Sequence, residues 1–249
     1  MFKGFYELTS GMLSQGRRLD VIANNMTNLA TAGYKSERYQ DSTFRQHMLY
    51  RVGNRDKSGP VELGEVSYAL VPGQLYTDHG QGPIEDTGMP LDFAIEGAGF
   101  FAVETAEGVA YTRRGSFSLD EEGYLCLPGE GRVLDIAGEP LLLGTDKLRA
   151  DVYGAVYTEE GGYLGQLGVY TFPDEAGLAQ NARGLFTGGG QARAEAVPVH
   201  WKAQERSNVD LLQQMMDLLS SQRALQSAAQ MSKMYDQLMT KAATELGRV

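Results

Sequence analysis

Residues 24–36 read NNMTNLATAGYKS, a run of amides, hydroxyls and small side chains that closes a segment with helical spacing. Asn24, Asn25, Thr27, Asn28 and Thr31 are ordinary to poor helix formers, because their short polar side chains compete for nearby backbone groups. Upstream of them Phe5, Leu8, Met12, Gln15, Leu19, Ile22, Met26 and Leu29 recur at alternating intervals of three and four, with only Gln15 breaking the apolar line. That is the 3.5-residue repeat of a coiled-coil seam. It predicts a helix from about residue 4 to residue 29, finished near Gly33. Gly4, Gly11 and Gly16 lie inside it, each costing about 1 kcal/mol relative to alanine, so the helix needs a partner.

The other end of the chain supplies one. From Asn208 to Leu246 there is neither glycine nor proline. Ser207 is the expected N-cap, with Asp210 three residues on as a variant capping box. Leu211, Met215, Leu218, Gln222 and Leu225 continue a seam, which resumes after a small drift at Ala228, Met231, Tyr235, Leu238, Ala242 and Leu246. Asp217, Arg223, Lys233, Asp236 and Lys241 exclude a membrane span. At 1.5 Å per residue the first helix is about 39 Å long and the second about 58 Å. A helix of the first's length leaves part of the second uncovered. Methionines on or near the seams, including Met12, Met26, Met215, Met216, Met231, Met234 and Met239, suit surfaces that meet several slightly different neighbours.

Between the ends the period changes to two, with frequent turns. LDFAIEGAGFFAVET (residues 91–105) reads as two short strands around Gly97 and Gly99. EGVAYTRRGSFSLDEEGYLCL (107–127) reads as strand, turn and strand, with DEEG as the turn. DVYGAVYTEEGGYLGQLGVYTF (151–172) reads as a hairpin turning at Gly161 and Gly162. The expected fold is α+β, with N- and C-terminal helices paired as an antiparallel coiled coil and a central all-β domain. The expected divisions are a helix in 1–35, a polar connector in 36–60, the β-domain in 61–200 and the second helix in 201–249. Residues 181–196 read as a loop leading out of the β-domain.

The 249 residues carry a formal net charge of −10. That argues against nucleic acid, which requires a basic surface to displace condensed counterions. A single cysteine, Cys126, forbids an internal disulfide. Glu7, Thr9 and Ser10 interrupt any secretory-signal core, and nothing approaches the ~18 apolar residues of a membrane span.

Motifs with possible chemistry are isolated. Asp86-Thr87-Gly88 is the aspartic-protease tripeptide, but that mechanism requires two carboxylates sharing a proton and there is one copy. A turn is the expected role, and a symmetric dimeric hydrolase using Asp86 is the formal alternative. GAGFFA (97–102) fits a dinucleotide fingerprint without the helix that must follow it. His47, His79 and His200 lack metal-ligand spacing. Ser116 and Ser118 lack a nucleophile elbow, Trp201 reads as a packing residue, and GGG (188–190) lacks the lysine of a phosphate loop. No catalytic group, cofactor or metal ligand is expected.

Leu19, Ile22, Ala23, Asn24, Asn25, Asn28, Thr31, Gly33, Tyr34 and Lys35 together resemble the L-x-x-I-A-N-N-x-x-N-x-x-T-x-G-Y-K signature of flagellar rod and hook proteins. LDFAIEGAGFFAVE, YTRRGSFSLDEEGYL, GQLGVYTFPDEAGL and SNVDLLQQMMDLLSSQRALQ resemble further stretches of the same family, in the same order. The resemblance implies an axial structural protein, best a subunit of the basal-body rod since the middle carries no large insertion, with a hook or hook-basal-body subunit of the same family as the alternative. Position along the rod, distal or proximal, stays open. It implies export through the flagellar type III apparatus without a cleaved signal, helical assembly with copies of itself and other rod and hook proteins, and a place in the basal body within the cell envelope. Candidate subunit contacts are Leu19, Ile22, Asn24, Asn25, Met26, Asn28, Thr31, Gly33 and Tyr34 on the first helix and its exit. On the second they are Asn208, Leu211, Met215, Leu218, Leu225, Met231, Tyr235 and Leu238. The amides are expected to meet neighbouring chains through charge-free hydrogen bonds.

Overall fold

The computed structural model describes residues 2–43, 46–52, 60–67, 70–173, 177–181, 183–188 and 192–246. Two long helices, α1 (Phe2–Thr27) and α2 (Leu211–Leu246), flank a chain otherwise built of short strands, an α+β arrangement. The chain divides into two compact units. One comprises residues 1–25, 37–76 and 211–249; the other comprises 26–36 and 77–210.

In the first unit, strand Glu37–Thr43 pairs with Leu70–Thr77, and Gln46–Arg51 runs antiparallel to Val61–Ser67. The stretch read as a connector therefore contains two strands. Period-two alternation marks a strand only where one face is buried. Here Met48, Tyr50, Val52 and Leu63 are all exposed, so no such pattern was imposed on the sequence. The Ser14 hydroxyl donates to the Asp41 carboxylate, and Arg18 lies 3.6 Å from the same group, which ties α1 to strand Glu37–Thr43. Near the start of α1, a methyl added at Gly4 would lie 3.8 Å from the Tyr235 ring. Near its end, the Asn25 amide donates to Gln214 at 3.3 Å.

The second helix opens at Leu211, with Asp210 in the preceding position, so Ser207 is not its N-cap. Ser207 instead accepts a hydrogen bond from the Val209 amide at 3.3 Å. The cause lies just upstream. Val199–Trp201 pairs with Phe93–Ile95, and Ala203–Glu205 pairs with Ile84–Asp86, which keeps the chain extended through residue 205. Lys202 joins these two strands at φ +61°, the single non-glycine residue in the left-handed region among those described.

The second unit is organised around strand Phe100–Thr105, which pairs with Gly108–Thr112, Gly131–Val133 and Val169–Thr171 within a nine-stranded sheet. Successive strand residues point to opposite faces. Phe101 and Val103 accordingly enter the main core with Phe93, Ile95, Leu125, Val133, Val156 and Val199, whereas Phe100 packs with Phe172, Leu178 and Phe186 on the other side. The strands expected around Gly97 and Gly99 occur at Phe93–Ile95 and Phe100–Thr105. The turns expected at Asp120–Gly123 and at Gly161 are also present, each closed by an i→i+3 hydrogen bond of 3.0 Å.

Candidate subunit interface

The two faces of α2 differ in an unexpected way. Gln214, Leu218, Ser221, Leu225, Ala228, Ser232, Tyr235 and Met239, spaced alternately by four and three, are half-buried or buried. With about 100° of rotation per residue, Leu212, Met216, Leu219 and Met234 project from roughly the opposite side, and Met231 and Leu238 from one flank of the sheltered line. These six are between 51% and 67% exposed. The sheltered line thus mixes Leu218, Leu225, Tyr235 and Met239 with small and polar side chains, while six further large apolar ones are open to solvent. Of the candidate contacts on α2, Leu218, Leu225 and Tyr235 lie on the sheltered line, while Leu211, Met215, Met231 and Leu238 are exposed. On α1, Ile22 is buried and Leu19 and Met26 are half-buried.

The amides at the end of α1 do not share one role. Asn25 is 1% exposed. Its side chain donates to the Glu37 carbonyl at 2.8 Å and accepts from the Glu37 amide at 3.0 Å, matching both backbone groups of that residue as a neighbouring strand would. The polar atoms of Asn25 are thus engaged inside its own chain. Asn24 is exposed, and its side chain bonds to Glu37. Burial raises the Glu37 carboxyl above its ordinary pKa, against the opposing effect of that hydrogen bond. Asn28 is half-buried and accepts from the Thr31 hydroxyl at 3.2 Å.

Gly33, Tyr34, Lys35 and Ser36 are buried in the second unit. Gly33 sits at φ +65°, and a Cβ there would lie 2.4 Å from the Arg113 carbonyl carbon and 2.5 Å from the Arg114 nitrogen. Gly33→Ala combines a left-handed backbone with a clash against rigid main chain and should cost about 2 kcal/mol or more. Hydrogen exchange should show residues 33–36 opening more readily; an unchanged rate would contradict that packing.

Beneath this segment is a charge cluster absent from the expected contacts. The Lys35 ammonium donates to Glu205 Oε1 at 2.6 Å and to the Gly80 carbonyl at 2.8 Å. Arg113 donates to Glu205 Oε2 at 3.2 Å and to the Gly97 carbonyl at 2.8 Å. The Gly82 amide also reaches Glu205, at 2.8 Å. Lys35, Glu205 and Arg113 are 0%, 1% and 3% exposed. Burial pulls the Lys35 ammonium below its ordinary pKa, outweighing the pull of the adjacent carboxylate. Asn208 completes the arrangement. It accepts from the Ser36 amide at 2.7 Å and donates to the Asp78 and Gly80 carbonyls at 2.8 and 3.0 Å. Residues so far apart in sequence give no local signal, although the family signature includes Lys35.

The isolated motifs stay apart. Asp86 ends an edge strand and is exposed, and Gly88 turns at φ +74°. The Thr87 hydroxyl donates to Asp92 at 2.6 Å. GAGFFA runs into a strand rather than a helix. Among the described residues no group of three or more His, Cys, Asp or Glu is placed to hold a metal. Trp201 donates its indole N–H to the Pro90 carbonyl at 2.8 Å and packs against the main core. Gly189 and Gly190 of the GGG run lie outside the described residues, and His47 is described in its backbone alone.

Comparison with known proteins places these features in one family. The family description "Flagella basal body rod protein" matches residues 5–35. "Flagellar hook protein FlgE/F/G D1 domain" matches residues 94–139, and "Flagellar basal body rod FlgEFG protein C-terminal" matches residues 202–245. The chain is 30% identical to the flagellar basal-body rod protein FlgG of Bacillus subtilis (strain 168), over 96% of this chain and 97% of the relative. It is 27% identical to the flagellar hook-basal body complex protein FlhO of the same organism, over the full length of both. The flagellar hook protein FlgE of Treponema pallidum (strain Nichols) is 33% identical, over 57% of this chain but only 32% of its own length. From α1 through the β-rich unit to α2, this chain is a member of the flagellar rod and hook protein family.

Proposed function

We propose that the chain is a structural subunit of the bacterial flagellar basal-body rod, assembling helically with copies of itself and with other rod and hook proteins. The observation that carries this reading is the set of exposed Leu and Met side chains on α2. A helix that shelters one line yet leaves Leu212, Met216, Leu219, Met234 and Leu238 open to water is finished by further chains. Full-length similarity to a named rod protein supports the rod over the hook, since the hook relative is matched over only a third of its length. The contacts Asn25–Gln214 and Gly4–Tyr235, at opposite ends of α1, support antiparallel pairing of α1 with α2 as a coiled coil. In this proposal the subunit reaches the basal body through the flagellar type III export channel and lines a hollow shaft that carries torque outward.

The similarity to FlhO favours a second reading, a hook-basal body subunit of the same family. Electron microscopy of basal bodies from a strain lacking the gene separates the two. A missing or shortened rod is the expected result. An intact rod bare at its outer end would move the subunit to the rod–hook junction.

A further inference from the structure

We infer that residues 26–36 form a separable strap on the β-rich unit, with the buried carboxylate of Glu205 as its main charged anchor. The strap belongs to that unit, yet none of its residues enters either apolar cluster of the unit's core. Tyr34 is buried, and the other attachments described are polar. The Gly33 amide donates to the Glu205 carbonyl at 2.7 Å, and the Asp78 amide donates to the Ser36 carbonyl at 2.8 Å. The Ser36 amide reaches Asn208, and the Lys35 ammonium reaches Glu205 and Gly80. The strap thus lies between residues 78–80 on one side and 205–208 on the other.

Glu205 is the shared element. It is the one carboxylate bonded to both Lys35 and Arg113, and it receives the Gly82 amide as well. Removing its charge leaves two like cations buried side by side. The cheapest relief is for Lys35 to leave, because Arg113 is also held by the Gly97 carbonyl. Departure of Lys35 takes with it the segment whose other bonds include those to backbone and to Asn208. The core around Phe101, Val103 and Leu125 loses nothing in that step. Strap release is therefore a local opening of the kind that leaves a domain folded. The device operates in a lone chain, independent of rod assembly.

Hydrogen exchange read by mass spectrometry on the full chain tests it. In the unaltered protein the amides of Gly33 and Ser36 should be protected. In Glu205→Gln, exchange at residues 33–36 should accelerate about 100-fold or more, as breaking a buried charge pair implies, while residues 100–104 and 125–127 keep their rates. Lys35→Met leaves the Glu205–Arg113 pair in place and should accelerate the strap about tenfold, again without effect on the core. Unchanged strap exchange in Glu205→Gln would overturn the inference. So would core residues opening together with the strap in Lys35→Met, a variant that decides the matter even if Glu205→Gln does not fold.

Discussion

A chain carrying Leu219→Gln, Met234→Gln and Leu238→Gln should fold normally and fail to polymerise. Each of these side chains is more than half exposed, so each substitution should change the stability of the free chain by no more than about 0.5 kcal/mol. In an assembly that covers them, each buried Leu or Met contributes about 1.5–3 kcal/mol, and losing three weakens the contact by several orders of magnitude. Circular dichroism should show the same helix content as the unaltered protein. Sedimentation and electron microscopy should show no filaments where the unaltered protein forms them. Filaments of ordinary length from the triple variant would remove the main support for the rod proposal. The sheltered line responds differently. Tyr235 and Leu225 lie on the half-buried face, so changes there disturb the free chain as well as any assembly.

Gly115→Ala should unfold the β-rich unit under conditions where the unaltered chain is stable. The Phe93 amide donates to the Gly115 carbonyl at 2.9 Å, and Phe93 itself is fully buried in the main core. A Cβ at residue 115 would lie 1.5 Å from the Phe93 carbonyl oxygen and 2.7 Å from its carbon. Backbone cannot rotate aside as a flexible side chain can, so the two segments must separate and the core must open. The expected cost is about 3 kcal/mol or more, read as loss of the near-ultraviolet signal at lower denaturant. The same substitution at Gly11 and Gly16 should act in the opposite direction. Neither has any atom within 4 Å of the added methyl, and both lie inside α1. Alanine there should strengthen the helix by up to about 1 kcal/mol at each site. If Gly115→Ala melts with the unaltered chain, the close approach of residues 93 and 115 is wrong.

The glycine contrast shows how far the sequence could be read. Glycines at turns were legible, because Gly123 and Gly161 stand among polar turn residues between apolar strands. Gly115 was not, because its neighbour is 22 positions away and close approach leaves no local mark. Strands Glu37–Thr43 and Gln46–Arg51, in the stretch read as a connector, escaped notice for a related reason: with much of their described surface exposed, their composition resembles that of a loop. At the end of α1 the sequence does not say which partner each polar side chain serves. Asn25 and Asn28 look alike in sequence, yet Asn25 is enclosed against Glu37 and Asn28 is half-buried beside Thr31.

The sequence by itself determined the α+β class, both long helices, the turn-rich middle and the family, since periodicity, glycine placement and a long signature are properties of neighbouring residues. Only the tertiary structure decided which face of α2 is sheltered, where Asn25 spends its hydrogen bonds, and that Lys35, Arg113 and Glu205 meet. Those outcomes depend on which distant segments come together in three dimensions, and the energies that select them, burial and charge pairing, act between residues that the chain order keeps apart.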